Sequence, residues 1–182
     1  YEIKSKNIYV SGDPSSSAFI IVGALITPNS NVKLLDVSLN KTRIAYLSIL
    51  KKMGGKIKIK KTKILSGEQL GTITVSSSSL KGVTIPAKLS PYLIDEYPIL
   101  SIAASQARGV TYMKGLDELR HKESDRIRSI VGMLKSFGVK ARVIKNDIKI
   151  YGSTSKIVNC NNTVKVYSDH RIALSASILG II

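Results

Sequence analysis

The densest ionisable cluster in the sequence is Arg120-His121-Lys122-Glu123-Ser124-Asp125-Arg126. Laid on a helix at about 100° per residue, Glu123 falls on the same stripe as Ile127, Ile130 and Leu134, which predicts an inward-facing carboxylate. Such a group would be desolvated yet close to Lys122 and Arg126, a setting that tunes a carboxyl for proton transfer. Lys122 and Arg126 stand four apart, so both cations would project from one side of the helix start. Free backbone N–H groups there add positive potential, and the pocket would take phosphate or carboxylate. The competing reading is an exposed first turn, with Glu123 suited to the helix dipole and paired with Arg126.

Two further constellations could join it. Tyr167-Ser168-Asp169-His170-Arg171 stands directly before an apolar run, and an arginine at a buried helix start is a bidentate carboxylate binder. The alternative is that Asp169 caps that helix and Arg171 pairs with it. In Ile94-Asp95-Glu96-Tyr97-Pro98, one carboxylate should face the helix end and the other solvent. No phosphate-binding loop, dinucleotide fingerprint or nucleophile elbow is present.

These residues recur at the same point of a repeated unit. Ile8-Tyr9-Val10 leads to Gly12-Asp13 and the apolar run 18–26. Val83-Thr84-Ile85 leads to Asp95 and the run 99–104, and Val164-Lys165-Val166-Tyr167 leads to Asp169 and the run 172–179. Three times, a short strand delivers an aspartate to the start of an apolar helix, which should be buried all round. Amphipathic helices over 41–53 and 122–137 follow. Leu50-Lys51-Lys52-Met53-Gly54 returns as Leu134-Lys135-Ser136-Phe137-Gly138, each ending in a glycine suited to positive φ. Strands are expected at 32–35, 57–59, 71–75, 110–113, 141–143 and 147–151. The fold class is α/β: repeated βαβαββ units over 1–81 and 82–152, joined by a linker at 76–82, and a third opening at 163–182 after a linker over 152–162. Helices lie inside and sheets around them.

The bulk properties bound the partners. Lys and Arg outnumber Asp and Glu by 28 to 12, a net charge of +16, which attracts anions of any class: nucleic acid, acidic membrane or small phosphorylated substrates. The Lys-Ile alternation at 56–63 reads as the solvated face of a strand rather than a nucleic-acid stripe, since aromatic interleaving is missing. Cys160 is the only cysteine and His121 and His170 the only histidines, so no Cys/His metal set can be assembled. The apolar runs fall short of the roughly 18 residues of a membrane span, and no signal peptide opens the chain, so a cytoplasmic location is expected. The last segment stops inside an apolar run, which suggests a fragment.

Gly12-Asp13-x-Ser15-Ser16, Leu93-Ile94-Asp95-Glu96-x-Pro98, Lys122-Glu123-Ser124-Asp125-Arg126 and Asp169-His170-Arg171 occur in one order through the chain. In this the sequence resembles the C-terminal half of the 5-enolpyruvylshikimate-3-phosphate synthase family. The resemblance implies one lobe of a two-lobe enolpyruvyl transferase of the inside-out α/β barrel type. It implies transfer of the enolpyruvyl group from phosphoenolpyruvate to the 5-hydroxyl of shikimate 3-phosphate in aromatic amino-acid biosynthesis, without metal or organic cofactor. By position, Asp95 would take the proton of the attacking hydroxyl, with Lys122 on the same substrate, and Glu123 would protonate and deprotonate the methylene carbon. Arg126, His170 and Arg171 would hold phosphoenolpyruvate, and Glu118 would touch the shikimate. The family's N-terminal lobe and a later lysine are missing from the sequence, so the chain alone should be inactive, and the full-length protein is expected to be monomeric, binding neither nucleic acid nor membrane. The alternatives are a sister enolpyruvyl transferase on the same fold, and a basic nucleic-acid-binding domain.

Overall fold

Asp13 sets the first helix in place: its side chain accepts from the Ser16 N–H, and Pro14 fits the first helical position, where no N–H is needed. The computed structural model describes residues 7–153 and 163–181. Cys160 and most of the linker expected over 152–162 lie outside the described residues, as do residues 1–6 and Ile182.

The first part of the chain runs α1 (Pro14–Ile26), β1 (Asn31–Ser38), α2 (Ala45–Lys52), β2 (Lys56–Leu65) and β3 (Glu68–Ser76). The second runs β4 (Thr84–Ile85), α3 (Tyr97–Ser105), β5 (Gly109–Met113), α4 (Arg126–Ser136), β6 (Lys140–Ile144) and β7 (Asp147–Gly152), with 3-10 turns at Ala87–Tyr92 and Asp117–His121. α5 (His170–Gly180) follows. The sheets share a plan. One has the order β1-β3-β2 and the other β4-β5-β7-β6, all neighbours antiparallel except β4 with β5. The first sheet's counterpart of that parallel pair is a single bridge from Gly12 to Val37. The strand expected at 8–10 is not formed; Ile8 and Val10 are largely exposed, and Tyr9 between them is held through side chains instead, its N–H donating to Ser66 Oγ and its hydroxyl to Asp36 Oδ2. Nor do the described residues 163–168 form a strand.

Each amphipathic helix ends as its glycine requires. Gly54 and Gly138 have φ of 99° and 73°, and the N–H after each bonds back to Leu50 O or Leu134 O. The apolar helices α1, α3 and α5 pack on one another, with α3 buried along its whole length. Burial all round holds for α3 alone: Ile20 of α1 and Leu174 of α5 face outward, about half exposed. β2, by contrast, is exposed almost throughout, so its lysines are a solvated strand face.

Gly152 marks a close approach of layers. A Cβ there would stand 2.1 Å from Ala107 O and 2.3 Å from Ala104 O, so the end of α3 and the end of β7 meet at a residue without a side chain.

Candidate active site

The N-termini of the three apolar helices converge, and hydrogen bonds between their side chains trace the convergence. Ser15 near the start of α1 donates to Glu96 Oε1 at the start of α3 (2.6 Å). Arg171 in the first turn of α5 reaches Asp95 beside it, with Nη2 at 3.3 Å from Oδ2 and Nη1 donating to the backbone O at 3.2 Å. Three helix dipoles thus present their positive ends to one region. Carboxylates answer them: Asp13, Asp95, Glu96, Glu123 and Asp169, five of the chain's 12 acidic residues.

Arg126 is the hub. Its side chain has no exposed surface, and its guanidinium meets three carboxylates: Nε to Asp169 at 2.8 Å, Nη1 to Asp95 at 3.2 Å and Nη2 to Glu123 at 2.5 Å. A buried cation is tolerable only when so paired, and the planar fork lets one arginine serve three partners. Burial would raise the Asp169 carboxyl. Arg126, the Arg171 N–H and the Ser124 hydroxyl outweigh it and hold the group below the usual carboxylate range. Glu96 goes the other way. It is 3% exposed, and burial raises its carboxyl against the pull of Ser15 and Arg171.

The first repeat has its own smaller version of this hub. Arg43, just ahead of α2, donates from Nη2 to Asp13 Oδ1 (3.2 Å) and to Ser15 Oγ (2.9 Å), so Ser15 relays it to Glu96. Each arginine therefore links the aspartate of its own repeat to an acidic residue of the next. Sequence reading missed Arg43; the signal was available, since it precedes its amphipathic helix much as Arg126 opens the other.

Several expectations need correction. α4 starts at Arg126, capped by Asp125, whose side chain accepts from the Arg128 N–H. Lys122 is therefore outside the helix in extended backbone, and Glu123 is about half exposed rather than buried on the stripe. The inward position belongs to Arg126, so Lys122 and Arg126 do not project together from one side of a helix start. Asp95 does not cap α3 either. Glu96 takes that position without bonding the helix N–H groups through its side chain, and Asp95 is drawn to Arg126 and Arg171 instead. Of the two adjacent carboxylates it is Glu96 that is buried and Asp95 that is partly open, at 36% side-chain exposure.

The structure brings together Asp95, Glu123, Arg126 and Arg171, with Asp169 between the arginines. His170 is exposed in the first turn of α5, and Lys122 and Glu118 are exposed on the segment leading to α4. A groove of about 610 Å³, lined by residues such as Asn40, Lys61 and Gln69, lies against the first sheet and includes none of these side chains. Among the described residues no cluster of His, Cys, Asp and Glu could hold a metal ion, and no helix is long and apolar enough to cross a membrane.

The chain is similar to known proteins over nearly its whole length. The 3-phosphoshikimate 1-carboxyvinyltransferase of Clostridium tetani is 47% identical over 173 residues, covering 95% of this chain and 39% of the relative. That of Petrotoga mobilis is 46% identical over 180 residues, covering 99% and 41%. This chain thus spans about two fifths of the length of the curated relatives it matches. The EPSP synthase of Acinetobacter baumannii superposes with a TM-score of 0.90 at 39% identity, over 96% of this chain and 40% of that one. The enolpyruvyl transferase NikO of Streptomyces tendae shares the fold alone, with a TM-score of 0.59 at 14% identity over 90% of this chain and 36% of that one. Residues 2–182 match EPSP synthase (3-phosphoshikimate 1-carboxyvinyltransferase) as a family, and the chain belongs to that family.

Proposed function

We propose that this chain is one lobe of an enzyme that transfers the enolpyruvyl group of phosphoenolpyruvate to the 5-hydroxyl of shikimate 3-phosphate. The observation that carries the reading is the meeting of Asp95, Glu123 and Arg171 around the buried Arg126 at three helix N-termini. Both substrates are anionic, and converging helix starts with two arginines suit phosphate and carboxylate oxygens.

In this reading Asp95 accepts the proton of the 5-hydroxyl as its oxygen adds to C2 of phosphoenolpyruvate, while Glu123 protonates C3. In the second step phosphate leaves C2 and Glu123 takes a proton back from C3, which restores the double bond. Partial exposure suits both carboxylates to this work, because a substrate can reach them. Lys122 and Glu118 contact shikimate 3-phosphate, and Arg171 and His170 contact phosphoenolpyruvate. Arg126 joins them by exchanging Glu123 or Asp95 for a substrate carboxylate when the lobes close. The reading calls for no metal or organic cofactor. It places the enzyme in the cytoplasm as a monomer, and it assigns the shikimate-holding residues this chain lacks to an N-terminal lobe. The chain alone then has negligible turnover.

The test is phosphate release by the full-length protein given phosphoenolpyruvate and shikimate 3-phosphate. Glu123→Gln should lower kcat by about 10²- to 10⁴-fold, the usual contribution of a positioned acid–base group. Normal turnover in that variant would overturn the role given to Glu123. Absence of turnover with shikimate 3-phosphate, alongside turnover with another hydroxyl acceptor, would make the protein a sister transferase.

A further inference from the structure

The segment between β5 and α4 carries Glu118, Lys122 and Glu123, and its attachment to the body of the lobe is uneven. Its first half is well held. The Gly115 N–H bonds Asp147 Oδ1 (2.9 Å), the Leu116 N–H bonds Asn146 O (2.9 Å), and Leu116 and Leu119 are fully buried. Beyond Leu119 the chain surfaces, and residues 120–123 are all exposed.

Arg120 spans that gap. Nε donates to Asn146 Oδ1 (3.2 Å), Nη2 to Lys145 O (3.1 Å) and Nη1 to Asp125 Oδ2 (3.2 Å). The first two partners are the two residues of the β6–β7 turn, where Lys145 adopts φ of 56°. The third is the carboxylate that caps α4. Asn146 completes the attachment by donating from Nδ2 to Asp117 Oδ1. One guanidinium therefore closes residues 121–124 into a loop and ties that loop to a hairpin turn some 25 residues further along the chain. All three of its nitrogens are used, which a lysine's single ammonium could not reproduce.

We propose that Arg120, with Asn146 as its counterpart, is a positioning residue that fixes Glu123 in register with Asp95. The inference rests on the functional reading above and adds to it a residue that touches neither substrate. Glu123 is already held at one point by Arg126. Ser124, directly after it, is held by donating to Asp169 Oδ2 (3.1 Å), and Arg120 fixes the segment on its other side, ahead of the exposed residues 121–123. Displacing a reacting group by about 1 Å can cost about 10²-fold in rate.

In the full-length protein, Arg120→Ala and Arg120→Lys should each lower kcat about 10²-fold, with a far smaller change in either KM. In a Glu123→Gln background the same Arg120→Ala change should cost little more, because the group it positions is gone. Amide hydrogen exchange should quicken at residues 120–124 in Arg120→Ala and stay unchanged within α4. Unaltered kcat, full rescue by lysine, or an undiminished loss in the Glu123→Gln background would overturn the proposal. Should the unmodified protein fail to turn over these substrates, the functional reading falls while exchange still decides the clamp: unchanged exchange at 120–124 would sink it too.

Discussion

Arg126 Nε donates to Asp169 Oδ2 at 2.8 Å across 43 residues of sequence, and neither side chain has any exposed surface. This pair joins the second repeat to the start of α5, and it is the most deeply buried ion pair among the described residues. Asp169 does three jobs with two oxygens: Oδ1 caps α5 through the Arg171 N–H, and Oδ2 receives both Arg126 and Ser124.

Removing one member of such a pair leaves an uncompensated buried charge. Asp169→Ala should destabilise the full-length protein by about 3–5 kcal/mol. Asp169→Asn keeps an acceptor for Arg126, so a loss of about 1–3 kcal/mol is expected. Urea unfolding of the two variants checks the order; equal losses would mean that the charge of Asp169 contributes little beyond its hydrogen bonds.

The same aspartate predicts a pH dependence. Its carboxyl is depressed in the folded protein, so its stabilisation is fully present above the unfolded value of about 3.9 and is lost as pH falls through the lower folded value. The stability gap between the parent protein and Asp169→Asn should therefore be flat from neutral pH to about pH 5, and close in acid below about 3.9. Unfolding midpoints across that range read it directly.

Glu96 should show the opposite sign. Its carboxyl is raised by burial, so the folded state favours the protonated form, and ionisation costs stability as pH rises through the folded value. Glu96→Gln preserves an acceptor for Ser15 and removes that cost. The variant should be at least as stable as the parent at pH 7 to 8, with the advantage vanishing below about 4.3, where the unfolded glutamate protonates as well. A large loss at neutral pH would mean that Arg43 and Arg171 need the charge more than burial opposes it.

What the sequence showed, and what it hid, divides along range. The apolar helices, the aspartates before them and the glycines ending α2 and α4 are local signals, with consequences within a turn or two of chain. The reading failed where a long-range partner outbid a local one. Asp95 looked like a cap because capping is what an aspartate does beside a helix, yet Arg126 and Arg171, 31 and 76 residues away, claim it. Extending the α4 stripe backward past its cap put Glu123 inside; Asp125 ends the helix first, and Arg126 takes the buried place. Apolar periodicity carries no sign that an arginine will occupy a core position, because its carboxylates come from three separate segments.

Gly152 offers a test of the layer contact independent of the site. A methyl group there would overlap Ala107 O and Ala104 O, both main-chain atoms that cannot rotate away. Gly152→Ala should cost at least the 1–3 kcal/mol typical of overpacking, read as a fall in the thermal midpoint. Tolerance of alanine would mean that β7 slides from α3 more easily than their contact implies.

Arg171 gives the sharpest separation of binding from positioning. Its two terminal nitrogens grip Asp95 twice, by the carboxylate and by the backbone carbonyl, and so fix both the side chain and the start of α3. A lysine retains the charge that would attract phosphoenolpyruvate but has one nitrogen where two are used. If Arg171 served only to attract the anion, Arg171→Lys would raise KM for phosphoenolpyruvate and leave kcat alone. If it also sets the aim of Asp95, kcat must fall as well, since the carboxylate then rests on Arg126 alone. The geometry predicts the second outcome, with a loss in kcat of about tenfold or more, against a thermal midpoint shifted by only a few degrees. Steady-state kinetics of the full-length variant with both substrates distinguishes them.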